Sequence, residues 1–297
     1  MQRIATLAIA VGLASSAAHG AIYYEPFDYP AGNLGLNVNP STGLPWYSSV
    51  SSGTEDRVQV GGESLAVEGM PAGIGGSASF GGAGRTDRLA FGPNLNSGSV
   101  YYSLMLNVTD LAQTLATGAT IAGFNNTQQS AANHDTAGQP TAISGRLILK
   151  PVEGSTTTYQ LGASKAAGTL ANFVFTDALS PYAVGETVFI VGRYTFNAGS
   201  STDDVFDLWV NPPSGTFADD ALIPAPTLTT NLGGDGGQIA TFILRQFTGV
   251  VPAGLVVDEL RVDRTWAHVT SNLIPEPSAP ALLALAVTGW LARRRAR

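Results

Sequence analysis

The chain has 297 residues, 44% apolar and only 12% charged, with 35 glycines, no cysteine and a net charge of −7. That length and apolar content suit one large domain, and the lack of cysteine excludes disulfides, thiolate metal sites and cysteine nucleophiles. Setting aside Arg3 and the four arginines near the C-terminus leaves ten basic residues against 22 acidic ones; with no Lys/Arg stripe, this argues against nucleic acid as a partner, because neutralising phosphates needs clustered cations.

Residues 1–20 read as a secretory signal. Arg3 supplies the positive start, Ile4–Leu13 the apolar run, and a small-residue stretch ends at Gly20, placing cleavage before Ala21. From there to 272 no segment has a convincing helical period, and strand-like runs recur. The run 100–108 carries β-branched and aromatic residues on both faces, as a strand buried in a sandwich does. Residues 145–150 and 158–161 pair around a turn at Glu153-Gly154-Ser155. Residues 187–196 and 205–210 form a hairpin across a polar loop. The stretch 211–237, rich in Pro and Gly, reads as a long connection, and the strands 239–245 and 255–262 close the domain. The spacing predicts an all-β fold of two antiparallel sheets packed face to face over 21–272.

The segment 273–297 is different. Pro275-Glu276-Pro277 leads into an almost wholly apolar run and then Arg293-Arg294-Arg295. The prolines stop the preceding strand, the apolar run is short for a membrane span, and the arginines would stay on the cytoplasmic side. These three parts in order resemble the PEP-CTERM sorting tail of Gram-negative bacteria. The resemblance implies export through the Sec translocon, cutting by signal peptidase, a brief stay in the inner membrane as a short helix, and recognition by exosortase, with delivery to the cell surface or matrix. An ordinary permanent anchor is the alternative.

A second resemblance covers most of 22–270. Residues 24–32 (YEPFDYPAG), Gly192-Arg193-Tyr194 with 206–212, and 257–262 with Thr265-Trp266 resemble the opening, central hairpin and last strand of LamG-like, concanavalin A-type jelly rolls. In this chain 36–40 (LNVNP) replaces the usual Gly-rich stretch before the tryptophan, here Trp46. The family implies the fold; its members include lectins, hydrolases and inert surface modules.

Candidate chemistry is sparse. Hydrolysis on such a fold needs two carboxylates facing one sugar bond. Asp258 and Glu259 are adjacent on a strand, which by alternation sends them to opposite faces. Asp203, Asp204 and Asp207 straddle a loop and a strand start and are the calcium candidates, since calcium takes hard oxygen ligands. His134 and His268 stand alone, without metal-ligand spacing. Trp46, Trp209 and Trp266 are either core residues or sugar-stacking platforms. No catalytic residue stands out. The sequence therefore leads to the expectation of a non-enzymatic, exported surface protein with no cofactor, associated with exopolysaccharide or another matrix glycan. A carbohydrate-binding module and a secreted glycoside hydrolase are the alternatives.

Overall fold

The computed structural model describes residues 23–49, 56–70, 73–166, 169–247 and 250–271. The signal with its Gly20–Ala21 junction, and the sorting motif with Pro275–Pro277 and Arg293–Arg295, lie outside the described residues. No helix among the described residues is long and apolar enough to cross a membrane.

The strands in chain order are β1 (Tyr23–Glu25), β2 (Gly32–Asn33), β3 (Trp46–Ser48), β4 (Gln59–Gly62), β5 (Ser77–Phe80), β6 (Asp87–Leu95), β7 (Gly98–Asp110), β8 (Ala119–Asn125) and β9 (Ile143–Pro151). They continue with β10 (Thr158–Ser164), β11 (Val174–Phe175), β12 (Tyr182–Ala183), β13 (Thr187–Phe196), β14 (Val205–Val210), β15 (Leu228–Thr230), β16 (Ile239–Leu244) and β17 (Gly254–Asp263). One short helix, α1 (Trp266–Val269), follows the last strand.

These strands make two antiparallel sheets. The first runs β15-β14-β13-β7-β17-β5-β4-β2 with β1 added on β17, and the second runs β11-β10-β9-β8-β16-β6-β3 with β12 on β10. The expected all-β sandwich is present, and the β9–β10 pair and β13–β14 hairpin fall where the sequence placed them. The connection 211–237 is not featureless: it holds two short 3-10 turns and the edge strand β15. β8 escaped notice because Ala119, Ala122 and Gly123 dilute its apolar signal.

Alternation sorts side chains between the layers. On β7, Val100, Tyr102, Leu104, Leu106 and Val108 enter the core between the sheets. Tyr101 and Met105 face outward, where Phe189, Val191, Trp209, Trp266 and Val269 join them in a second cluster. Segments carrying Leu65, Val67, Met70, Phe217 and Ile223 cover that cluster. The first sheet is therefore apolar on both faces, which explains why β7 shows no polar alternation.

The start of the domain is tied down by one buried acid. Glu25 is fully buried. Its carboxylate accepts hydrogen bonds from Trp46 Nε1 (2.8 Å), the Tyr29 hydroxyl (2.7 Å), Asn39 Nδ2 (3.0 Å) and the Phe27 amide (2.8 Å). Burial pushes the Glu25 carboxyl upward, and these donors pull it back. The unusual 36–40 stretch thus supplies Asn39 as a buried brace. Glu25→Ala would strand four donors and is expected to cost about 3 kcal/mol or more in urea unfolding, with Glu25→Gln milder because its amide oxygen still accepts.

Candidate functional site

The outer face of the second sheet is cationic. Register pairing places Tyr47 opposite Arg88, and Arg88 opposite Ile243. It also places Thr241 opposite Asn125, Arg146 opposite Ser164, and Lys150 opposite Gln160. Their neighbours one residue along, such as Leu89, Phe242, Leu147 and Leu161, point into the core, so this polar set lies on the outside. Arg245, which follows β16, joins it. Four of the ten basic residues between 21 and 277 therefore share this region.

None of these four has an acid at ion-pair distance among the described residues. Arg88 donates from Nη2 to the Gly138 carbonyl (3.0 Å) and from Nη1 to Asn125 Oδ1 (3.4 Å), while its buried Nε has no partner. Arg146 donates to the Ile143 carbonyl (3.0 Å) and to Thr120 Oγ1 (3.2 Å). Burial lowers both guanidinium pKa values to about 10, and for Arg146 the charge of Arg245 adds to the effect. Arg245 stacks 5.0 Å over Phe247, and the Lys150 ammonium sits 4.2 Å over Phe175. Segment 126–142 lies over the Arg88 half and Phe175 over the Gly162 half. Tyr47, Lys150 and Arg245 remain partly exposed at the rim.

His134 is not the isolated loop residue the sequence implied. Its ring lies 6.0 Å from that of Tyr47, its Nδ1 accepts the Ser48 amide (3.1 Å), and its Nε2 lies 3.4 Å from Asp135 Oδ2. Asp135 in turn bridges Arg57 and Arg85, each at 2.6 Å. Burial lowers the His134 pKa, against the opposing pull of Asp135, which keeps the ring neutral near pH 7. Asp87, fully buried close by, has its carboxyl pushed up to about 7, mainly by burial. No sequence signal links positions 47, 57, 85, 87 and 134; strand pairing and one loop bring them together.

The acids of β17 correct the sequence reading. A register shift between Asp258 and Arg261, with Glu259 at φ 53°, inserts an extra residue into the strand. Asp258 stands opposite Met105 on the outer face, and Glu259 bonds Arg261 (2.8 Å) and the Tyr24 hydroxyl (2.8 Å) on that same side. Asp258 and Glu259 therefore share a face, because the bulge breaks the alternation. Asp258 accepts from Ser64 Oγ (2.9 Å) and the Leu65 amide (2.8 Å), so the segment after β4 closes over it. Burial raises its carboxyl to about 7.

The calcium candidates separate. Asp203 and Asp204 converge with Asp235, their ligand atoms all within 4.8 Å of one another. Asp207 instead pairs with Arg193 (2.6 Å) and accepts from Thr229 (2.7 Å). The fully buried Lys165 ammonium sits 2.7 Å from Asp235, supplying positive charge at the place where a cation would go. His268 pairs with Asp263 at 2.9 Å. Trp46, Trp209 and Trp266 are all fully buried, which makes them core residues and not sugar platforms.

No family model and no curated protein matches the chain. Solved structures do match. Alginate lyase Aly36B aligns with a TM-score of 0.46 at 11% identity, covering 82% of this chain and 97% of that one. Endo-β-1,4-glucuronan lyase from the fungus Trichoderma reesei aligns at 0.43 and 12%, covering 75% and 96%. Domain 4 of AbnA, an extracellular arabinanase from Geobacillus stearothermophilus, aligns at 0.44 and 14%, covering 86% and 97%. At these identities the likeness is one of fold. The expectation of a non-enzymatic protein is corrected by this finding: the solved structures similar to the chain include alginate and glucuronan lyases and a glycosyl hydrolase family protein.

The Asp258 carboxyl yields a pH prediction. Its folded pKa lies above the ordinary 3.8, at about 7, so the folded state holds the proton more tightly and this group's contribution falls as pH climbs between those values. In Asp258→Asn that loss is absent. The urea midpoint of the variant, compared with the parent at each pH, is expected to shift in the variant's favour from about pH 4 to about pH 7. A difference independent of pH would refute the assignment.

Proposed function

We propose that the chain is an exported carbohydrate-active enzyme that cleaves an acidic polysaccharide over the outer face of its second sheet. The observation that carries this reading is the set Arg88, Arg146, Lys150 and Arg245, which share one face without a carboxylate partner among the described residues, in a chain whose net charge is −7. Burying a guanidinium costs several kcal/mol unless a counter-charge offsets it, and arginine cannot shed its proton to escape. A uronic-acid polymer brings a carboxylate on every ring, and guanidinium forks bind carboxylates in bidentate fashion.

The side chains of this face suit elimination better than hydrolysis. Among the described residues of this face there is no pair of carboxylates of the kind that hydrolysis uses. A guanidinium bound to the sugar carboxylate withdraws charge and acidifies the C–H beside it. A base then removes that proton, the electron pair forms a C=C bond, the C–O bond to the next sugar breaks, and the departing oxygen takes up a proton. Tyr47, opposite Arg88 in register and next to the His134 ring, is the acid–base group best placed for both transfers. The His134 Nδ1 is already engaged with the Ser48 amide, which leaves that ring a positioning role.

The route to this site outside the cell is proposed from the two ends. The signal ending at Gly20 would open export, and the Pro275–Pro277 motif with its Arg293–Arg295 cluster would act as an exosortase address. An intact mass ending near Pro277 in protein from the native envelope is expected; retention of Arg297 would instead indicate a permanent anchor.

The enzymatic reading is checked with polygalacturonate, alginate and glucuronan against a neutral β-glucan. Elimination leaves an unsaturated uronate that is followed by its ultraviolet absorbance. Turnover is expected on at least one acidic polymer and not on the neutral one. The rim variants Arg245→Ala and Lys150→Ala, which leave the core untouched, are expected to raise KM about tenfold each. Inactivity on every acidic polymer, or equal action on the neutral one, would retire the proposal.

A further inference from the structure

On the first sheet a cleft of about 390 Å³ opens. Its floor is a row set by strand pairing: Gln59 opposite Ser79, and Ser79 opposite Val256. Thr109 completes the floor, and Asp56 and Arg57 line it as well. Gln59, Ser79, Thr109 and Asp56 are all exposed. The volume lies within the range of small-ligand sites, at its lower end.

The polar groups in the cleft are matched to a ligand without charge. The one guanidinium, Arg57, is already held by both oxygens of Asp135, at 3.0 and 2.6 Å. It therefore offers no free cation to an anionic ligand, and Asp56 would repel one. The Gln246 amide at the cleft is engaged by the Gly81 amide and by the Asp56 and Arg85 carbonyls; what remains is the Gln59 amide, two hydroxyls and a carboxylate, all able to exchange hydrogen bonds with hydroxyl groups, beside the half-buried Val256. A pyranose ring has this same combination of many hydroxyls around an apolar ring face. Backbone packs closely at the cleft's end: a side chain at Gly81 would run into the Ala253 carbonyl, so the end wall is fixed in shape.

We propose that this cleft binds a neutral mono- or disaccharide unit, making it a second glycan site with a specificity opposite to that of the cationic face. The proposal is independent of the enzymatic reading. It would let the protein hold an uncharged sugar while the other sheet engages an acidic polymer.

Saturation-transfer NMR on the full chain, with the methyl pyranosides of glucose, galactose, mannose and xylose as probes, tests it. Transfer to the ring protons of at least one is expected. Ser79→Trp, which fills the cleft from an exposed strand position, is expected to abolish transfer, and Gln59→Ala to weaken binding about fivefold. Both variants are expected to keep the parent's melting temperature and its behaviour towards polyuronate, which separates failure here from failure of the cationic site. Absence of transfer from all four sugars, or transfer undiminished in Ser79→Trp, would overturn the assignment.

Discussion

The last strand, β17, holds the domain together. It lies in the middle of the first sheet, paired on one edge with β7 and on the other with β1 and β5. β17 is therefore locked between strands from the first 110 residues, and it cannot leave without opening the centre of the sheet. Such long-range pairings are slow to form but unite strands distant in sequence in one cooperative unit. The bulge in β17 turns Glu259 and Arg261 towards Tyr24 of β1, so the seam between first and last strands is bonded by side chains as well as backbone.

The placement of charge follows from this packing. Loops cover part of the outer face of each sheet, so charged groups beneath them lose water and need partners. Most have them: Lys165 with Asp235, Arg193 with Asp207, Arg261 with Glu259, and Arg57 and Arg85 with Asp135. Against that background the unmatched cations of the second sheet stand out. Their counter-charge would come from outside the chain, which is the physical basis for an acidic ligand. The cleft on the first sheet lacks free cations for the converse reason, since its arginine is already neutralised.

The sequence gives good access to strands whose side chains carry the signal themselves. The runs in β7, β13, β14 and β17 are dense in β-branched and aromatic residues, and the turns beside them contain Gly, Asn or Asp. Strands with small residues, such as β8, stayed hidden. The site was less legible. Asp258 and Glu259 were assigned to opposite faces by a rule that holds only for an unbroken strand, and a single inserted residue reversed the result. His134 and Asp87 sit far apart in sequence, and nothing local announces that pairing with β3 and one loop bring them together.

Composition and pattern alone determined that this chain is an all-β sandwich without thiol chemistry, since periodicity of two and turn chemistry are local properties of the chain. Only the tertiary structure decided which charges are neutralised and which are left open. That depends on which residues face each other across strands distant in sequence, and on what the loops cover. Whether a buried arginine meets an acid is a property of the packed sheet, because the acid that reaches it comes from a strand or loop remote in sequence.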